Sequence, residues 1–303
     1  MDSVIRATSL VKRFRSVEAL RGLDLDVPQS SIYALVGPNG AGKTTAIKVL
    51  MNILRPTSGR AEVLGMNSTE LAGNAFAAIG YVSENQELPE WMRVDDLLAY
   101  MRPFYPMWDR KLEDDLVRQF ELPLERKLKA LSRGMRMKAA LACSLAYRPK
   151  LVVLDEPFTG LDPLVRDELI HALLDRVAEA TVFVSSHDLG EIESLASHVG
   201  YLEDGRLLFS EKMNVLSDRF REVEVTLERP APAPDLWPET WMQVDIAGDV
   251  VRFVESRFDA GITQRIRAVF GEVRGVTFNP MSLRSIFVAI ARSHGARKTQ
   301  VLS

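Results

Sequence analysis

The sequence predicts an α/β fold with a largely parallel sheet, followed by a small α+β domain, and three observations lead there. Runs 31–36, 151–154 and 181–184 are continuously apolar rather than alternating, the mark of strands buried on both faces. Helical segments separate these runs, and strands spaced by helices build parallel sheets. A proline-rich stretch near residue 230 then precedes a different pattern of short strands and two helices.

Along the chain, 4–8 and 23–27 alternate as strands, and Pro28 closes the second. Run 31–36 passes directly into a glycine-rich turn and a helix over 44–54 that is rich in Lys, Val and Leu. From about 88 to 146 the pattern is helical and rich in Met, Arg and aromatics, which predicts a helical subdomain inserted in the α/β core. Asp204-Gly205 between apolar residues in 200–209 signals a hairpin. Val223, Val225 and Leu227 alternate with charges as a strand does. The stretch 229–234, Arg-Pro-Ala-Pro-Ala-Pro, can continue neither strand nor helix and reads as a loop or linker. Beyond it, strands 242–246, 250–254 and 273–278 and helices 263–270 and 282–292 describe an α+β accessory domain, with a frayed tail over 293–303. The expected division is 1–216 and 217–303.

The 303 residues suffice for one large domain and a smaller one. A formal net charge of −3 opposes a general affinity for nucleic acid, so no such partner is expected. The single Cys143 excludes an intramolecular disulfide or a paired-cysteine zinc site and fits a reducing compartment. The start, Met1 to Arg6, shows no basic leader before an apolar stretch, and no signal peptide is expected. No run of about 18 uncharged apolar residues occurs, so work at a membrane would need a separate membrane-spanning partner.

Gly37-Pro38-Asn39-Gly40-Ala41-Gly42-Lys43-Thr44 matches the Walker A phosphate loop, G-x-x-x-x-G-K-[ST]. Its glycines let successive backbone N–H groups turn around phosphates, and the following helix adds its positive end. Gly37, Asn39, Gly40, Ala41, Gly42 and Thr45 are expected around the phosphates, with Lys43 on the β- and γ-phosphates and the Thr44 hydroxyl on Mg²⁺. Asp155 and Glu156 follow a buried strand, at the carboxyl edge where open α/β sheets place ligand groups. That pair suits a metal-holding acid, Asp155, and a water-activating base, Glu156.

With these motifs the chain, over roughly 4–215, resembles the ABC ATPase family, whose core is a P-loop fold with an antiparallel β subdomain and an inserted helical subdomain. Leu131-Ser132-Arg133-Gly134-Met135 resembles the family's LSGGQ signature and stands before a helix, with Ser132 as its N-cap. The resemblance implies ATP and Mg²⁺ as ligands and two subunits closing on ATP, each phosphate loop facing the partner's Ser132 and Gly134. Asp162, in Gly160-Leu161-Asp162, is similar to the D-loop that touches the opposite subunit. His187 stands where the family keeps its catalytic switch histidine. Phe14 resembles the aromatic that stacks on adenine, although a core position is the alternative.

Three departures stand out. The signature carries Arg133 and Met135 where the family has Gly and Gln. Glu84 occupies the Q-loop position at the end of strand 79–83, as a hard oxygen donor for Mg²⁺, with Gln86 as a shifted alternative. The stretch 104–109, Phe-Tyr-Pro-Met-Trp-Asp, resembles a bacterial subgroup serving ABC-2-type exporters; its aromatics suit either core packing or a permease contact. The implied function is the ATP-hydrolysing subunit of an exporter. Its partners would be a second copy or a homologous subunit, and a separately encoded membrane permease. It would sit in the cytoplasm, on the inner face of the membrane. The alternative is a soluble ABC ATPase with a regulatory, nucleic-acid or ribosome-associated role.

Overall fold

The computed structural model describes residues 3–84, 86–176, 179–230, 234 and 236–301, with side chains as far as residue 293. The chain divides into two compact units, Met1–Ser210 and Glu211–Ser303.

In the first unit the elements run β1 (Ser3–Phe14), β2 (Val17–Pro28), β3 (Ile32–Val36), α1 (Lys43–Leu50), β4 (Ser58–Val63), β5 (Met66–Asn67), β6 (Ile79–Ser83). There follow α2 (Val94–Met101), α3 (Arg110–Gln119), α4 (Arg133–Leu145), β7 (Leu151–Asp155), α5 (Pro163–Leu174), β8 (Thr181–Ser186), α6 (Leu189–Glu193), β9 (His198–Glu203) and β10 (Arg206–Lys212). One sheet has the order β2-β1-β4-β5 and is antiparallel. The other has the order β10-β9-β3-β8-β7-β6, with β9, β3, β8, β7 and β6 mutually parallel. β3, β7 and β8 are buried at every position, which is why their sequences are continuously apolar.

Strands β1 and β2 are longer than their alternation predicts. A bulge intervenes: Ser9 takes a φ of 46°, its N–H donates to Asp24 Oδ1 at 2.8 Å, and the register shifts between Ala7 and Leu10. Helix α1 stops before the expected 54. Asn52 turns left-handed at a φ of 53°, and its amide donates to the carbonyls of Thr69 and Leu71. A tertiary partner thus ends a helix that local propensity would continue.

Between β6 and β7 lie α2, α3 and α4. Glu113 is buried there, receiving two hydrogen bonds from Arg102 at 2.8 and 2.7 Å and one from Trp108 Nε1 at 2.6 Å. Burial would raise its carboxyl; Arg102 and Trp108 outweigh that and hold it below the usual range. The aromatic stretch divides its roles. Tyr105 stacks on Tyr147 with centroids 3.8 Å apart, whereas Phe104 and Met107 are exposed. Cys143 on α4 is buried, and burial pushes its thiol up to about 12. A thiol reagent is therefore expected to leave the native chain unlabelled and to modify Cys143 only after denaturation, as mass spectrometry would report.

The second unit contains α7 (Met213–Arg219), β11 (Arg221–Leu227), β12 (Trp241–Ala247), β13 (Val250–Glu255), α8 (Ile262–Phe270), β14 (Val273–Pro280) and α9 (Leu283–Val301). Its antiparallel sheet has the order β12-β13-β11-β14. Val223, Val225 and Leu227 of β11 pack with Trp241, Val251, Phe253, Ile262 and Ile266 into one core. Helix α9 extends past the expected 282–292, to Val301. Of the expected linker, 231–233 lie outside the described residues.

Candidate functional site

The site grows from the carboxyl ends of neighbouring parallel strands, the edge where open α/β sheets bind ligands. Register places Ser83 of β6 beside Asp155 of β7, Asp155 beside Ser185 of β8, and Ser185 beside Leu35 of β3. The residues just past these strand ends therefore emerge at one common rim. From β3 comes Gly37, from β7 Glu156, from β6 Glu84 and, one residue past β8, His187.

Gly37 opens the phosphate loop under tight constraint. A Cβ there would lie 2.0 Å from the carbonyl oxygen of Leu202 in β9. Backbone cannot move aside as a side-chain tip can, so Gly37→Ala should cost at least about 3 kcal/mol. Gly40, with a φ of 82° and open space around it, should tolerate alanine at about 1 to 2 kcal/mol. Thermal melts of the two variants test this ranking. The loop is braced by Gly205 N–H, which donates to the Ala41 carbonyl at 3.0 Å. It ends at Gly42, the N-cap of α1, which brings no capping side chain to the helix N-terminus.

Lys43 is buried at 5% exposure, so its ammonium must be fully partnered. Nζ donates to the carbonyls of Gly37 at 2.7 Å and Pro38 at 3.2 Å, and pairs with Glu156 Oε1 at 3.1 Å. The other Glu156 oxygen, Oε2, bonds to His187 Nδ1 at 2.8 Å and accepts from Thr159 Oγ1 at 3.2 Å. Burial alone would push the Glu156 carboxyl up, but His187 and Lys43 together hold it below the ordinary carboxylate range. It is thus ionised at neutral pH, as a base must be. Glu156 also sits at a φ of 52°, a left-handed conformation that a side-chain-bearing residue holds only when its surroundings enforce it.

Asp155 behaves oppositely. Burial raises its carboxyl above the ordinary range, against opposing hydrogen bonds from Ser185 and Thr44. Ser185 Oγ donates to Asp155 Oδ1 at 2.7 Å and accepts the Glu156 backbone N–H at 3.0 Å, so one hydroxyl ties the Asp155 carboxylate to the Glu156 backbone. Thr44 Oγ1 donates to the same Asp155 oxygen at 3.1 Å. Two adjacent acids in unlike environments are suited to unlike roles.

Asn39, Gly40, Gly42, Lys43, Thr44, Thr45, Glu84, Glu156 and His187 line one cavity of about 360 Å³, joined by Ala19 and Thr159. Other sequence-derived candidates stand outside its lining. Ser132 Oγ caps α4, accepting from Met135 N–H at 3.2 Å, and Asp162 caps α5, accepting from Val165 N–H at 3.1 Å. Gly134 lies where a Cβ would meet Val165 Cγ1 at 2.9 Å. Phe14 is exposed on β1 with Lys12 Nζ 4.9 Å above its ring, so it is no core residue. Gln86 lines a different groove, and its side chain accepts from Ser83 N–H at 3.4 Å. Sequence reasoning missed Ala19, Thr159 and Ser185. The Ser185-Ser186 pair ending an apolar strand was the one available signal.

Among the described residues no three His, Cys, Asp or Glu side chains cluster as a metal cage. The Thr44 hydroxyl and the Asp155 carboxylate, in contact, still suit Mg²⁺, which takes few protein ligands and completes its shell with phosphate oxygens and water.

The family model described as ABC transporter matches residues 20–159. The chain is 33% identical over 227 residues to the bacitracin transport ATP-binding protein BcrA of Bacillus licheniformis, covering 73% of this chain and 74% of that protein. It is 30% identical over 286 residues to the daunorubicin resistance ATP-binding protein DrrA3 of Streptomyces coeruleorubidus, covering 91% and 88%. Among solved structures, an ATP-binding subunit of an ABC transporter superposes with a TM-score of 0.65 at 24% identity, over 71% of this chain and 92% of that one, a likeness of fold. Matched at this identity over about three quarters of a relative's length, and with a phosphate loop, Glu156 and His187 converging on one cavity, the chain belongs to the ABC transporter family as one of its ATP-binding subunits.

Proposed function

We propose that the chain binds ATP with Mg²⁺ in this cavity and hydrolyses it to ADP and phosphate, two copies closing around two nucleotides to drive a separate membrane permease. The observation that carries the reading is the Lys43–Glu156–His187 chain of contacts beside the Thr44–Asp155 pair.

Each group has a task in that chemistry. Backbone N–H groups of the loop, the start of α1 and Lys43 hold the phosphates. Thr44, Asp155 and Glu84 would hold Mg²⁺, which supplies neutralisation of phosphate charge. When a phosphate takes over Lys43, Glu156 Oε1 is released to accept a hydrogen bond from the attacking water. That water forms a bond to the γ-phosphorus, the bond to the ADP oxygen breaks, and the water's proton passes to Glu156. His187, on Oε2, keeps the carboxylate oriented.

Ser132, Gly134 and Asp162 lie outside the cavity lining of their own chain, which supports a second copy delivering them to the γ-phosphate side. Among the described residues no helix is long and apolar enough to cross a membrane, so transport needs a membrane partner. Exposed Phe104 and Met107, with Trp91 and Tyr100, offer apolar surface for that contact. The bacitracin and daunorubicin relatives are named for transport and drug resistance, which favours export and a place on the inner face of the membrane. The test is ATP turnover by the purified chain together with affinity capture from membranes. Turnover in Mg²⁺ that EDTA abolishes, with a polytopic protein recovered alongside, is expected. Turnover indifferent to EDTA overturns the reading.

A further inference from the structure

Glu84 and Arg133 stand 49 residues apart in the chain and meet at the rim of the site. Arg133 is the first residue of α4, and its Nη2 donates to Glu84 Oε1 at 2.8 Å. A Cβ placed on Gly160 would lie 3.4 Å from Arg133 Nη1, so the guanidinium also rests against the turn after Glu156. Glu84 N–H donates to the Asp155 carbonyl at 2.8 Å, which ties its backbone to the acid-bearing strand and leaves the carboxylate as the movable part. Glu84 lines two spaces. One is the cavity of Lys43, Thr44 and Glu156; the other is a groove of about 610 Å³ shared with Arg133, Arg136 and Met137.

The side chains are 30% and 45% exposed, so water competes with the pair and its exchange is cheap. A third carboxylate facing a phosphate site, beside Asp155 and Glu156, would repel a nucleotide unless compensated. We propose that Glu84 exchanges partners: Arg133 neutralises it in the nucleotide-free chain, and it moves to the metal–phosphate cluster when ATP enters with Mg²⁺, releasing Arg133 and with it the start of α4. Arg133 is thus a positioning residue acting through Glu84. The inference rests on the cavity being a Mg²⁺–ATP site.

A double-mutant cycle on the full chain tests it, with a fluorescent ATP analogue titrated into wild type, Glu84→Gln, Arg133→Gly and the double variant, in Mg²⁺ and in EDTA. Arg133→Gly should weaken binding in EDTA about fivefold, since Glu84 then faces the phosphates uncompensated, and the loss should shrink in high salt. Glu84→Gln should strengthen EDTA binding and cut the gain from Mg²⁺ by about fivefold. The double variant should recover the affinity lost in Arg133→Gly. Additive effects, or an equal Mg²⁺ gain in all four proteins, overturn the exchange while leaving the nucleotide site intact. Absence of Mg²⁺-dependent binding in wild type overturns the site itself and the exchange with it. Thermal melts of all four verify folding.

Discussion

Glu156→Gln is expected to lower ATP turnover about 10²- to 10⁴-fold, the usual contribution of a general base, while nucleotide binding persists. Glutamine keeps the shape of the side chain and its contact with His187 but cannot take a proton from water. It also removes the counter-ion of Lys43, whose Nζ sits 3.1 Å from Glu156 Oε1. The buried ammonium then lacks its charged partner until a phosphate arrives, so the variant should bind ATP at least as tightly as wild type. Without hydrolysis to reopen it, the ATP-bound dimer should accumulate. Light scattering of the variant with Mg²⁺ and ATP, against ADP, reports this. A variant that turns over ATP at the wild-type rate would remove Glu156 from the role of base.

Lys43→Ala should act on binding instead. Its ammonium lies on the loop carbonyls of Gly37 and Pro38, and Lys43 lines the cavity. Removing a buried charged partner costs about 2 to 5 kcal/mol, or roughly 30- to 5,000-fold in affinity. The truncation also leaves Glu156 with His187 and Thr159 as its remaining side-chain partners, so the carboxylate should lose part of its depressed pKa. Calorimetric titration with ATP checks the first effect. An affinity within about threefold of wild type would mean that the backbone amides alone grip the phosphates. The two variants separate the roles: one binds without turning over, the other scarcely binds.

The phosphate loop and the acid pair were legible because each is a short-range device. The glycine spacing of 37–42 is dictated by the backbone's own need to curl, and Asp155-Glu156 follows a run of apolar residues that can only be a buried strand. Strand ends and bulges were less legible. The Ser9 bulge and the stop at Asn52 depend on Asp24, Thr69 and Leu71, which no local window includes. The aromatic stretch 104–109 left two readings open, since a periodic pattern does not tell which rings meet Tyr147 and which meet water.

From the chain alone, then, came the parallel α/β core, the phosphate loop, the paired acids and the resemblance that joins them to a signature and a histidine. Those features are encoded in residues close in sequence, where backbone geometry and burial pattern act directly. Only the tertiary structure decided which partners each charge takes: Lys43 on Glu156, Ser185 across both acids, and Glu84 on Arg133. Such pairings arise where distant strands and helices converge on one rim. The choice among many possible counter-charges there is made by distances of a few ångströms, which spacing along the chain does not contain.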